Sequence, residues 1–317
     1  MPAVTEVGAE RQPLMGIALK VISVSVFVMM SSLIKSAGMV PSGQIVFFRS
    51  FFAIFPIIAM LAWRRELATA FRTTHPVSHI MRGLVGVTAM GLGFFALTRL
   101  PLPDAITLNY AQPLIVVVLS AIFMGEVVRI YRWSAVAVGF VGVIIIAWPK
   151  LTLLTGDAGL EAAQAVGVIA ALCGATGSAI AMLLVRRLVQ TEKTATIVLW
   201  FSVTATVLSL FTIPFGWADL SREQYLALAG AGICGGVAQI LMTECYRHAE
   251  LSTIAPFEYT SMLLAIVIGY FAFGDVPTLY TLVGGMIVIG AGLFIIWRER
   301  RLGLKRVAAR RFVPPAS

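Results

Sequence analysis

Between Leu14 and Trp297 the chain is a succession of apolar runs, each close to twenty residues long and divided from the next by a short polar segment. A hydrocarbon core of roughly 30 Å, at a rise of about 1.5 Å per residue, requires about 20 apolar residues per spanning helix. Ten runs meet that length. They cover Leu14 to Ser36, Ser42 to Trp63, Pro76 to Leu97, Pro103 to Met124 and Ile130 to Trp148, then Ala165 to Val185, Ala195 to Phe215, Tyr225 to Tyr246, Ser252 to Phe273 and Pro277 to Trp297. The expected fold class is an all-α integral membrane protein with ten transmembrane helices.

Composition excludes the soluble alternative. With 59% hydrophobic and 12% charged residues, and a mean hydropathy of +0.93, a chain of 317 residues lacks the polar surface to cover a globule in water. A membrane β-barrel needs short segments that alternate apolar and polar residues, whereas these runs are apolar on every face. The N-terminal MPAVTEVGAERQPLMG has no small-residue cleavage site behind a short apolar core, so the first run is expected to be a retained helix.

Basic residues set the orientation. Arg11, Arg64, Arg65, Arg72, Arg129, Arg132, Arg186, Arg187, Lys193, Arg247 and the RERRLGLKRVAARR tail fall on one side, against Lys35, Arg99, Lys150 and Arg222 on the other. The positive-inside rule makes both termini cytoplasmic. Topology then explains the net charge of +9, and the basic tail reads as an anchor at anionic headgroups, with no nucleic acid as partner.

The ten runs divide into two sets of five. Residues 104–148 laid over 253–297 without a gap match Tyr110 with Tyr259, Gly125 with Gly274, Tyr131 with Tyr280 and Trp148 with Trp297. Leu114, Val118 and Val127 also recur, and Glu126 meets Asp275. Expected units are a first repeat over 14–148, a linker over 149–164, a second repeat over 165–298 and a basic cytoplasmic tail over 299–317. Because five is odd, the second repeat enters from the opposite side. Inverted repeats have two nearly equivalent packings, which is the physical basis for opening a central site to each side in turn.

These features carry a family resemblance. The Gly-acidic pairs FMGE (Phe123 to Glu126) and AFGD (Ala272 to Asp275), in two repeats of this length, resemble the EamA branch of the drug/metabolite transporter superfamily. GIALKVISVSVFVMMSSLIK, GQIVFFRSFFAIFPI, RGLVGVTAMGLGFFAL and LPLPDAITLNYAQPLIVV are similar to segments of its bacterial riboflavin uptake transporters. The resemblance implies a multi-pass protein of a bacterial inner membrane, a secondary transporter with riboflavin uptake as the leading cargo. Export of amino acids or other metabolites, and S-adenosylmethionine transport, are the alternatives. With both repeats in one chain, a monomer is the simplest state.

The polar residues inside the runs are the candidate site. An arginine at the bilayer centre costs about 2.5–3.5 kcal/mol, so Arg49 is expected to face the bundle interior. There it either hydrogen-bonds a neighbouring helix or meets substrate oxygens or an acidic gate partner. Phe48, Phe51, Phe52 and Phe55 form a stripe at helical spacing, a packing or lipid face that could also stack a flat ring. Asn109, Tyr110 and Gln112 in the fourth run correspond to Glu258, Tyr259 and Ser261 in the ninth, so both patches should line one central cavity. Gln239 and Thr243 share a face of the eighth run. Glu244 and Glu258 are candidates for proton coupling, since burial disfavours a charged carboxylate. Lys20 and Arg82 read as headgroup anchors.

Catalytic and cofactor motifs are missing from the sequence. His75 with His79, and Cys245 with His248, are incomplete metal sets; Cys173, Cys234 and Cys245 suggest no disulfide framework, and no Walker loop is present. No metal or cofactor is expected, and a membrane enzyme would have only Glu244, Glu258 and His248 to work with. Gly230, Gly232, Gly235 and Gly236 soften the eighth run, and Pro56, Pro113, Pro214 and Pro256 are candidate kinks.

Overall fold

The computed structural model describes residues 13–123, 128–151, 160–188, 191–248 and 254–311, and its secondary structure there is helical throughout. The pair Gly125–Glu126, part of the expected linker and the two termini lie outside the described residues. The helices are α1 (Pro13–Ser36), α2 (Ser42–Trp63), α3 (Leu67–Ala70), α4 (Pro76–Leu97), α5 (Leu102–Asn109), α6 (Ala111–Phe123) and α7 (Ile130–Leu151). After them come α8 (Leu160–Leu188), α9 (Thr194–Leu210), α10 (Arg222–His248), α11 (Thr260–Phe273) and α12 (Leu279–Arg311). Two 3-10 turns, Ile213–Phe215 and Ala255–Tyr259, precede α10 and α11.

Nine spans among the described residues are long and apolar enough to cross a bilayer, counting α5 with α6 as one and the Pro256-containing turn with α11 as another. The expected seventh run is the exception. Its helix, α9, stops at Leu210 after 17 residues, and the chain turns through Ile213–Phe215, where Pro214 cannot donate to a continuing helix. The ten-span expectation is thus met in nine places and shortened in one.

Proline also explains why the fourth run is two helices. Pro113 has no N–H to donate to the Asn109 carbonyl, and the helix breaks at Tyr110. In the second half the corresponding run begins with the 3-10 turn that holds Pro256 and ends at Tyr259. Both matched tyrosines stand at an interruption. Elsewhere proline starts helices: Pro41 and Pro101 cap α2 and α5, and Pro76 opens α4. Gly274, at φ +67°, closes α11 in the left-handed conformation that glycine adopts without strain, leaving Asp275 just beyond the helix end.

Helix partners follow a regular scheme. In the first half α1 packs on α10, α2 on α10 and α6 on α8; in the second half α8 packs on α4, α9 on α4 and α11 on α1. Numbering the membrane spans by their order within each half, with α3 left out and α5 and α6 counted as one, and exchanging the halves turns each of these pairs into another of the set. The pairs α2 with α9, α5 with α11 and α7 with α12 map onto themselves.

Small residues bring the backbones together. A methyl group on Gly142 of α7 would lie 2.7 Å from the Gly284 carbonyl of α12, and one on Gly284 would lie 2.6 Å from the Gly142 carbonyl. Ala171, Ala175 and Ala179 of α8 are buried, small side chains that let neighbouring backbones approach. The glycines of α10 serve the same purpose: Gly232 sits against the Phe48 carbonyl and Gly236 against the Ala53 carbonyl, so the face expected to bend is a tight contact with α2. Large apolar side chains such as Phe55, Trp63, Ile130 and Phe271 are exposed, as a lipid-facing surface requires.

Candidate functional site

Tyr110 and Tyr259 join the two halves. Their rings meet edge to face at 5.2 Å between centroids, and Tyr110 is hydrogen-bonded to Ser261 at 2.5 Å. Ser261 donates its own proton to the Glu258 carbonyl, at 2.6 Å, so Tyr110 is the donor in the first bond. The two patches are in direct contact through these residues. Their outer members differ: Asn109 is exposed and Gln112 half-buried, and neither reaches this bond.

Glu258 is held by Lys20 of α1 in an ion pair. Lys20 is 2% exposed, which overturns its reading as a headgroup anchor: a lysine this deep requires a partner, and Glu258 supplies the charge. Glu244 pairs with Arg64 at 2.6 Å, linking α10 to the end of α2, and Gln239 is half-buried on the same helix. His248 bonds the Glu244 carbonyl through Nδ1 at 2.9 Å. The two ion pairs tie neighbouring elements together.

Arg49 is 8% exposed and turned into the bundle, as its depth in the membrane demands. A methyl group on Gly235 would lie 3.2 Å from its Nε and 2.9 Å from Met30 Sδ, so α10 leaves room for the guanidinium. The aromatic stripe divides. Phe48 and Phe52 stack at 6.0 Å and both meet Tyr225 of α10 edge-on, whereas Phe51 and Phe55 face outward. Arg82, read as an anchor, instead lies over the Phe201 ring of α9 at 3.7 Å.

At the opposite end from Glu244 two charged clusters close the bundle. Asp275 accepts the Leu102 N–H at 2.9 Å and pairs with Lys35 at 3.2 Å, while Lys35 donates to the Leu100 carbonyl at 2.7 Å. Just inside, the 2%-exposed Asp104 of α5 pairs with Lys150 of α7 and accepts the Thr281 hydroxyl of α12 at 2.5 Å. Sequence reading placed Lys35 and Lys150 at this end as isolated charges and passed over Asp104. An aspartate and a lysine at the ends of neighbouring apolar runs were the available signal.

His79 stacks on Trp200 at 5.5 Å, and among the described residues no three of His, Cys, Asp and Glu converge.

A helical membrane bundle built from two matching halves, with buried polar residues where the halves meet, is the architecture of a membrane transporter. The EamA-like transporter family matches residues 13–148 and again 165–298, and the chain belongs to it. It is 24% identical to an S-adenosylmethionine uptake transporter of Rickettsia felis, over 82% of this chain and 84% of that one. Identity is 28% to the pseudopaline exporter CntI of Pseudomonas aeruginosa, over 87% and 94% of the two chains. It is also 28% to a riboflavin transporter of Rhizobium johnstonii, over 82% and 83%. A solved crystal structure shares the fold, with a TM-score of 0.63 at 20% identity, over 90% of this chain and 98% of that one.

Proposed function

We propose that the protein is a secondary transporter of a bacterial inner membrane, with both termini cytoplasmic, that moves a small organic metabolite by alternating access as a monomer. The observation that carries this reading is the exchange symmetry of the helix packing, centred on Tyr110 and Tyr259 at matched helix breaks. Two inverted halves of one sequence pattern can adopt either of two packings, and each opens one face. In the state described, Lys35–Asp275 ties α1 to the end of α11, and Asp104, with Lys150 and Thr281, ties α5 to α7 and α12, at the end this reading makes periplasmic.

Relatives at similar identity are named for three cargoes, moved in both directions. Riboflavin uptake, the cargo implied by sequence resemblance, is one arm of the test. Protein reconstituted in liposomes is preloaded with unlabelled riboflavin or S-adenosylmethionine, and entry of the labelled compound is followed. Saturable entry, faster into preloaded vesicles and delivering the compound unchanged, supports the carrier. Chemical conversion of the label supports the membrane enzyme, and entry no faster than in empty liposomes removes that cargo.

A further inference from the structure

Among the described residues, every buried side-chain nitrogen or oxygen lacking a hydrogen-bond partner belongs to one of four residues: Arg49, Ser50, His79 and Arg82. They lie on α2 and α4, two helices that pack on each other and both on α9. Unpaired polarity is therefore concentrated on two neighbouring helices. A buried polar group without a partner is destabilising, and a buried charge more so.

The two arginines are the sharper anomaly. A guanidinium does not shed its proton, so neither escapes by neutralising. Neither takes part in an ion pair among the described residues, although Lys20, Lys35, Arg64 and Lys150 all do. Arg82 Nε and Nη1 are buried over the Phe201 ring, on a side chain that is half-exposed as a whole, and α4 packs on α2, which carries Arg49. Glu192 bears on His79 but is held by the hydroxyl of Thr73 and the N–H of Thr74. Two like charges thus stand on adjacent helices, and among the described residues neither is paired with a counter-ion.

We propose that Arg49 and Arg82 form an oxyanion subsite on the transport path and receive a carboxylate or phosphate of the cargo. The inference rests on the carrier reading and narrows its cargo class. Guanidinium forks match both oxyanions in geometry, and the partner they lack is the one such a cargo brings. The Phe201 ring walls the subsite beside Arg82. A cargo with an oxyanion is then preferred over its counterpart that lacks it.

The test uses two matched pairs of probes on purified full-length protein, with binding read by calorimetry. Riboflavin is compared with riboflavin 5′-phosphate, and decarboxylated S-adenosylmethionine with S-adenosylmethionine. The oxyanion-bearing member of at least one pair is expected to bind about tenfold more tightly than its twin. A gap in the flavin pair assigns phosphate, and one in the other pair assigns carboxylate. In Arg49→Gln and Arg82→Gln the gap should close to about twofold, while the thermal midpoint of the unliganded protein holds or rises as an unpaired charge leaves the interior. Arg49→Lys, which keeps the charge without the fork, should retain part of the preference. Equal binding of the twins, no anion binding by the folded wild type, or variants that lose stability but keep the gap would each overturn the subsite. Flux separates the two readings: transport without anion preference leaves the carrier standing, and anion binding without transport of the bound probe leaves the subsite standing.

Discussion

Tyr110 and Tyr259, equivalent positions in the two halves of the chain, touch each other edge to face across the centre of the bundle at 5.2 Å. Each stands where its helix is interrupted, Tyr110 between α5 and α6 and Tyr259 before α11. A broken helix has carbonyls and N–H groups outside the regular ladder, and at membrane depth these are tolerated only where protein or a polar cavity meets them. In the carrier proposed above, this contact is where the two halves would exchange packings without exposing backbone to lipid.

The hydroxyl of Tyr110 is the only group that Tyr110→Phe removes, and Ser261 keeps its bond to the Glu258 carbonyl. Loss of one buried neutral hydrogen bond is expected to lower stability by about 1 kcal/mol. Thermal unfolding in detergent checks the stability, and flux in liposomes should fall because the halves lose their central polar link. A variant with wild-type midpoint and flux would remove Tyr110 from the pivot.

Asp104 and Lys150 are both almost completely buried, so breaking the pair should cost far more than forming it contributes. Asp104→Leu leaves the Lys150 ammonium without its carboxylate and should destabilise by about 3–5 kcal/mol. Adding Lys150→Met removes the stranded charge and should recover most of that loss. Unfolding midpoints of the two single variants and the double variant form the cycle; a double variant no better than Asp104→Leu would show that Thr281 and shape, and not charge, hold this corner.

The membrane itself made much of the fold legible. Bilayer thickness fixes both the length and the apolarity of a span, so α2 and α4 begin and end where the sequence reading put them. The break at Tyr110 was latent in Pro113, and the inward turn of Arg49 in the energetics of a mid-membrane charge. Pairings were harder. Lys20 with Glu258, and Asp104 with Lys150, join residues far apart in sequence, and only the packed helices bring their depths and faces into register. Arg82 was misread because nearness to a helix end predicts snorkelling, whereas α9 places Phe201 beneath its guanidinium.

Acid should loosen the end of the bundle that carries α3. There Glu192 accepts the Thr73 hydroxyl at 2.6 Å and the Thr74 N–H at 3.1 Å. The Thr73 bond is the main cause that holds the Glu192 carboxyl below its ordinary value of 4.5. A carboxyl lowered on folding stabilises the native state above that ordinary value and loses its effect as pH falls through the lowered one. Protection of the Thr74 amide against hydrogen exchange, corrected for intrinsic rate, should therefore drop in the acid range below 4.5. Glu192→Gln should abolish that drop; an unchanged profile in the variant would assign the effect to another group.

Glycine 292 gives the most direct mechanical test of the pivot. A methyl group built there would collide with the Tyr259 hydroxyl, while one at Gly290, two residues earlier on α12, meets nothing within 4 Å. Gly292→Ala must therefore push Tyr259 away from α12 and disturb its contact with Tyr110, with an overpacking loss of about 1–3 kcal/mol. Gly290→Ala shares the same change in helix propensity without the collision, and should be neutral or more stable by up to about 1 kcal/mol. Flux should fall several-fold in Gly292→Ala and stay near wild type in Gly290→Ala, on the order of the single-site effects seen for close packing. Restoring flux by adding Tyr259→Phe, which withdraws the colliding oxygen, would locate the defect at this ring; failure to restore it would place the transport-limiting contact elsewhere along α12.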